Sequence, residues 1–214
     1  MRALRNRLLW LCLLLAVSAC QGVKYRALEK FGIEKRDILV DRVEEARDSQ
    51  AAAREQFTSA LDQFRSLVAI EGGELEETYD RLNAEYEHSR DRAKTVSDRV
   101  EAVERVAGDL FDEWENELKD YQNTELRRDS ERLLRDTQQR YTTLIAAMRL
   151  ADEAMDPVLE VFEDQILVLK HNLNAQAIGS LKRELASIER ETTRLIADMN
   201  RAIAEADQFL QNMR

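Results

Sequence analysis

The sequence predicts an all-α fold, an elongated antiparallel up-down helical bundle or coiled coil of about four long helices, kinked near Pro157. Apolar residues recur at alternating steps of four and three over tracts of four heptads or more, which is typical of coiled-coil packing. One proline and six glycines, with 35% charged residues, form a composition that favours long helices. No stretch shows the alternation of a strand.

The first element is a leader, residues 1–19, which has the layout of a secretory signal peptide. Three arginines precede the apolar run 8–17, and small residues follow it. The ending Val17-Ser18-Ala19-Cys20 resembles the lipobox of bacterial lipoproteins, in which a peptidase cleaves before a cysteine that already carries diacylglycerol. We therefore expect a mature chain that begins at Cys20, exported and held on a membrane by its lipid.

Removal of the leader also changes charge and cysteine content. Arg2, Arg5, Arg7 and Cys12 leave with it, so the formal net charge moves from −10 to −13 and Cys20 is the remaining cysteine. An acidic body repels nucleic acid phosphates, so we expect no nucleic acid as partner. The lack of a phosphate-binding loop in the sequence argues against a nucleotide. No later segment resembles a transmembrane span, so lipid on Cys20 is the expected membrane anchor.

The second element, residues 20–36, is the lipidated and basic membrane-proximal segment. Its part 24–36 carries five basic and two acidic residues. A basic amphipathic stretch beside a lipid anchor suits an anionic headgroup layer. The expected membrane-surface contacts are Lys24, Tyr25, Arg26, Lys30 and Phe31. The alternative is a plain tether or the first turns of the first helix.

The remaining chain, 37–214, is predicted as one helical bundle domain. Each helix would be about 60–70 Å long at 1.5 Å per residue, and short connections would make neighbours antiparallel. The helices are expected at about 37–70, 75–121, 125–171 and 175–213. The glycine pair 72–73 and the polar stretches 122–124 and 171–174 mark the connections.

Pro157 interrupts the third helix because it lacks an amide hydrogen and its ring crowds the preceding turn. We expect a kink near Asp156, favoured by the continuous heptad phase, or else a full break with Pro157 opening a new helix. Six polar residues also fall on the heptad seams, and we expect several of them to face outward where the bundle is thin. They are Gln50, Ser89, Glu117, Thr137, Gln165 and Thr192.

The stretch 158–169 is apolar over more of its circumference than a heptad seam requires. One interpretation is the thick centre of the bundle, covered by the other helices. The other is a surface for a partner or for self-association. Its expected contacts are Val158, Leu159, Val161, Phe162, Ile166 and Leu167.

The sequence offers little for catalysis or for metal binding. Glu85 and His88 match half of a di-iron motif of helical bundles, but His171 has Val168 where the second half needs glutamate. No nucleophile elbow and no phosphate-binding loop occur. Paired carboxylates are abundant, but a slim bundle offers no obvious cleft that would desolvate them. We therefore expect no enzyme, no cofactor and no metal site.

Three runs resemble an uncharacterised family of predicted proteobacterial lipoproteins, known as a domain of unknown function. They are Glu29-Lys30-Phe31-Gly32-Ile33-Glu34-Lys35-Arg36-Asp37-Ile38-Leu39-Val40, Phe111-Asp112-Glu113-Trp114-Glu115 and Leu169-Lys170-His171-Asn172-Leu173-Asn174-Ala175. The resemblance implies an exported all-helical lipoprotein and supplies no catalytic residue.

The sequence thus leads to a lipid-anchored periplasmic structural or interaction protein of the bacterial envelope. Gln21 follows the lipidated cysteine in place of the aspartate that retains enteric lipoproteins at the inner membrane, which favours the periplasmic face of the outer membrane. The expected partner is another envelope protein or a second copy. The alternative is an envelope-stress chaperone or regulator that binds clients through an opened apolar seam.

Overall fold

A computed structural model describes residues 35–68, 75–171 and 175–213, and it is helical almost throughout. The helices are α1 Lys35–Val68, α2 Leu75–Glu117, α3 Thr124–Glu153, α4 Met155–His171 and α5 Ala175–Met213. α3 and α4 follow one another as a single interrupted rod. The described residues therefore form four rods and no strand, which confirms the predicted all-helical bundle.

The rods are arranged so that α1 and the α3–α4 rod each lie between α2 and α5. Neighbours are antiparallel, as side-chain pairs along α1 and α5 show. Arg47 Nη1 lies 3.0 Å from Asp207 Oδ1, and Arg65 Nε lies 2.7 Å from Glu189 Oε1, so the residue numbers rise along α1 while they fall along α5.

The heptad residues form one continuous core along the bundle. Phe162 of α4 is stacked on Phe64 of α1, with ring centroids 4.6 Å apart, and its ring centroid lies 6.3 Å from that of Phe57. These aromatic side chains bridge two rods that lie diagonally across the bundle. The burial of such side chains is the main stabilising contribution, about 1.5–3 kcal/mol for each fully buried large apolar residue.

The α2–α3 connection is short and well capped. α2 ends at Glu117, earlier than the predicted 121, because the amides of Lys119 and Asp120 bond to carbonyls three residues back in a turn. The side chain of Asn123 then accepts hydrogen bonds from the next amides at 2.9 and 3.2 Å. This N-cap satisfies two of the free amides at the start of α3.

The interruption of the third rod lies at Ala154, two residues before the predicted position. Ala154 has nearly helical backbone angles (φ −74°, ψ −11°) and its amide still bonds to Leu150 O. Pro157 is the third residue of α4, where its missing amide hydrogen costs no helical hydrogen bond. Ala151, Met155 and Val158 are all buried, so the seam continues across the break.

Candidate interaction surfaces

The apolar stretch of α4 lies mostly inside the bundle. Val158, Phe162 and Ile166 are at most 4% exposed, whereas Leu159 and Val161 are half-buried against the core. Leu167, at 44%, is the member that faces solvent. The first three are therefore core residues and not partner contacts in the closed bundle. The apolar stripe on α4 is wide because the other rods cover this helix over much of its circumference.

The polar seam residues are buried, contrary to the expectation that several would face outward. Five of the six are at most 8% exposed, and Glu117 is the exposed member. The buried ones are Gln50, Ser89, Thr137, Gln165 and Thr192. The expectation was wrong because neighbouring rods cover these seam positions.

Backbone carbonyls accept hydrogen bonds from some of these buried polar side chains. Ser89 and Thr137 donate to carbonyls one turn back on their own helices at 2.8 Å. Gln50 Nε2 donates across the core to Met148 O at 3.4 Å. Among the described residues, three buried side-chain oxygens have no hydrogen-bond partner, namely Gln50 Oε1, Gln165 Oε1 and Thr192 Oγ1. Such unpaired buried groups lower stability.

A cavity of about 300 Å³ opens at the end of the bundle where α1 begins. Every helix except α4 lines it. We call it the entry groove. Its lining residues are Arg36, Leu110, Glu113, Trp114, Glu117, Leu133, Thr137, Arg140, Asn212 and Met213.

Specific contacts fix the wall of the entry groove. Trp114 Nε1 donates to Ser130 Oγ at 2.9 Å, which joins α2 to α3. Lys35 Nζ lies 2.9 Å from Glu113 Oε2. Arg36 donates to the carbonyl of Met213 at the end of α5. The start of α1 is thereby held against the ends of two other rods.

A second cavity, of about 290 Å³, lies beside the α3–α4 break. Ser97 of α2 donates to Asp152 Oδ1 at 2.5 Å there. Burial raises the pKa of the Asp152 carboxyl, the hydrogen bond from Ser97 and the charge of Arg149 oppose the rise, and Asp156 adds to it.

Tyr141 is a further perturbed group. Burial raises the pKa of its phenol to about 12. The negative charge of Glu104 also raises this pKa, and the positive charge of Arg149 lowers it. Its ring packs edge-on against Phe111, with centroids 5.4 Å apart. Both features are those of a residue that packs at the edge of the core.

The candidate metal ligands do not come together. His88 is exposed, and the carboxylate of Glu85 accepts a hydrogen bond from Gln56 Nε2 at 2.6 Å. Among the described residues no group of three or more His, Cys, Asp or Glu side chains could hold a metal ion. His171 is exposed at the end of α4.

The predicted leader, the lipidation site Cys20 and the expected membrane-surface contacts lie outside the described residues. The contacts concerned are Lys24, Tyr25, Arg26, Lys30 and Phe31. In the part of the chain that the structure describes, no helix is both long enough and apolar enough to cross a bilayer.

Sequence reasoning missed the entry groove. A heptad pattern assigns residues to a seam, but it does not show where one rod ends beside another. The available signal was apolar residues off the seam near the α2–α3 connection, above all Leu126 and Leu133, which are 56% and 53% exposed.

Comparison with known families identifies the family to which the chain is similar. A family model described as "Protein of unknown function (DUF2959)" matches residues 24–213, which is most of the chain. No curated protein and no solved structure matches.

Proposed function

The chain belongs to the family described as "Protein of unknown function (DUF2959)", and since that description assigns no activity, we propose a function from the chain's own features. It is a lipid-anchored periplasmic structural or interaction lipoprotein of the bacterial envelope. It has no catalytic activity of its own and needs no cofactor.

One observation carries this proposal, the leader that ends in Val17-Ser18-Ala19-Cys20. A basic start, a short apolar run and small residues are the features by which an export signal is recognised. The cysteine at its end supplies the thiol to which a lipid can be attached. Acyl chains contribute about 0.8 kcal/mol for each buried methylene, so several long chains hold a protein firmly on a bilayer.

The described bundle supports a role based on reach. α2 contains 43 residues, which corresponds to about 65 Å at 1.5 Å per residue. A bundle of this length, attached at one end, extends well away from the membrane. It can therefore hold another envelope protein, or a second copy, at a distance from the leaflet. We assign the periplasmic face of the outer membrane, on the basis of Gln21.

The test is a pair of cysteine substitutions in cells that express the full chain. We expect Cys20→Ser to abolish incorporation of labelled fatty acid and to release a folded protein into the soluble periplasmic fraction. Cys12→Ser is the matched control, because it alters the leader and leaves the lipid site intact. If Cys20→Ser still sediments with membranes, lipid on Cys20 is not the main anchor.

The partner is sought by crosslinking the lipidated protein at its native level and identifying what co-purifies. One dominant protein in fixed ratio would make this chain an adaptor. Links within the chain or between its copies would leave a structural role. A broad mixture of unrelated proteins would favour the second candidate function described next.

That second candidate is an envelope-stress chaperone or regulator that opens to expose its seam. The buried oxygens of Gln50, Gln165 and Thr192 that lack partners favour it, because they lower the cost of opening. The folded protein should then bind a hydrophobic dye and suppress aggregation of a denatured client. Absence of both effects would rule it out.

A further inference from the structure

The end of the bundle at which α1 begins is unevenly covered. Lys35 is level with Glu113 of α2, and the end of α5 lies beside Arg36. α2 continues past this level to Glu117, and α3 begins beyond it at Thr124. The α2–α3 hairpin therefore projects past the end of α5 and past Lys35, the first described residue of α1, and the entry groove lies at this level.

The projecting hairpin presents apolar side chains to solvent. Of the five large apolar residues that are exposed among those described, three are here, namely Tyr121 at 41%, Leu126 at 56% and Leu133 at 53%. Leu126 and Leu133 are seven residues apart and so share one face of α3. Exposed apolar side chains grouped in this way are typical of an interaction surface.

The lining of the entry groove carries both signs of charge. Arg36 and Arg140 lie there with Glu113 and Glu117, and Glu113 pairs with Lys35. Charge alone therefore does not select the occupant. The exposed apolar side chains do, because an apolar occupant that covers them removes them from water.

We propose that the entry groove is the docking site for residues 24–34 of the same chain. This segment supplies apolar side chains such as Leu28 and Phe31, and its three basic and two acidic residues give it a net charge of only +1. It directly precedes Lys35, which already pairs with Glu113 at the groove. The family match begins at residue 24, so the segment belongs to the shared domain and not to the leader.

Length and connectivity also fit. Eleven residues span at least about 16 Å even at the helical rise of 1.5 Å, and the part of α3 between Thr124 and Thr137 spans about 20 Å at the same rise. An occupant joined to the groove by the chain has a high effective concentration, so modest contacts are enough to hold it.

Docking has a consequence for orientation. It directs the α2–α3 end of the bundle towards Cys20, and it withdraws Phe31 from the headgroup layer in which the sequence had placed it. The inference goes beyond the proposed function and does not depend on it, because the groove and the segment are the same whether or not Cys20 carries lipid.

Crosslinking tests the proposal in the chain 20–214 with Cys20→Ser, which contains no other cysteine. Leu28→Cys is combined with Leu133→Cys and treated with a short bismaleimide. The matched control combines Leu28→Cys with Leu150→Cys, an exposed leucine of the same helix about 25 Å further along at helical rise. We expect the first pair to give crosslinked monomer at every protein concentration and the control pair to give little.

Three results would overturn the proposal. Equal crosslinking of the two pairs would mean that the segment does not select the groove. Crosslinked dimer that increases with protein concentration would make a second copy the occupant. Loss of the Leu133 crosslink on addition of phosphatidylglycerol vesicles would make the lipid surface the preferred site of the segment.

Tryptophan fluorescence gives an independent readout. Trp10 lies in the leader, so Trp114 in the groove wall is the one tryptophan of the chain 20–214. Phe31→Ser should shift its emission to the red and increase its quenching by acrylamide, with an unchanged circular dichroism spectrum. Val23→Ser, just outside the family match, should change neither. Unchanged emission and quenching in Phe31→Ser would contradict docking.

Discussion

Truncation of Phe162 tests whether the wide apolar stretch of α4 is core or a partner surface. The side chain is fully buried, and its ring is stacked on that of Phe64 at 4.6 Å. Phe162→Ala removes the ring and leaves a cavity between two rods that lie diagonally across the bundle. If the residue were instead a partner contact, the isolated protein would lose little stability.

The magnitude follows from the burial. Truncation of a buried phenylalanine costs about 3–5 kcal/mol, which already includes the cavity, and the loss of a stacked partner places this site in the upper part of that range. We therefore expect a loss of about 4 kcal/mol in the free energy of unfolding. For a domain of this size that corresponds to a fall in Tm of about 8–16 °C.

The assay is urea unfolding of the chain 20–214 with Cys20→Ser, followed by circular dichroism at 222 nm. Leu167→Ala is the matched control, because Leu167 lies on the same helix and is 44% exposed. The control should change stability by about 0.5 kcal/mol or less. A loss below about 1 kcal/mol in Phe162→Ala would refute the placement of this side chain in a closed core.

Two further predictions concern buried polar groups. Thr192→Val removes a hydroxyl that has no hydrogen-bond partner and keeps the shape of the side chain. It should therefore raise the free energy of unfolding by about 1 kcal/mol in urea titrations. A loss of similar size would show that the hydroxyl has a hydrogen-bond partner after all. Burial raises the folded-state pKa of Asp152 above its value in the unfolded chain, so the ionised carboxylate destabilises the fold at neutral pH. Asp152→Asn should therefore raise Tm at about pH 7, and its advantage should shrink as pH falls through the raised pKa towards about 4. A stability advantage of Asp152→Asn that stays the same at every pH would contradict the role of burial.

The sequence predicted the rods more reliably than their ends. The heptad spacing is a local property, and residues such as Leu144 and Met148 are fully buried where it placed them. The end of α2 and the break at Ala154 differ from the prediction by a few residues. Turn hydrogen bonds decided the end of α2, and they depend on backbone angles that spacing does not specify.

The burial of the polar seam residues could not be predicted from spacing. Gln50 and Thr192 occupy seam positions, but a seam position is buried only if another rod covers it. Coverage depends on how far each rod extends beside its neighbours. For the same reason the sequence could not decide whether Phe162 is a core residue or a partner contact, because an apolar side chain suits both positions.

The sequence by itself determined that this chain is helical and acidic, because periodicity and charge are both local properties. The tertiary structure alone decided that Val158, Phe162 and Ile166 belong to the core and that Leu133 and Trp114 border an open groove. The physical reason is that exposure results from the relative lengths and register of four antiparallel rods. No single segment encodes that relation.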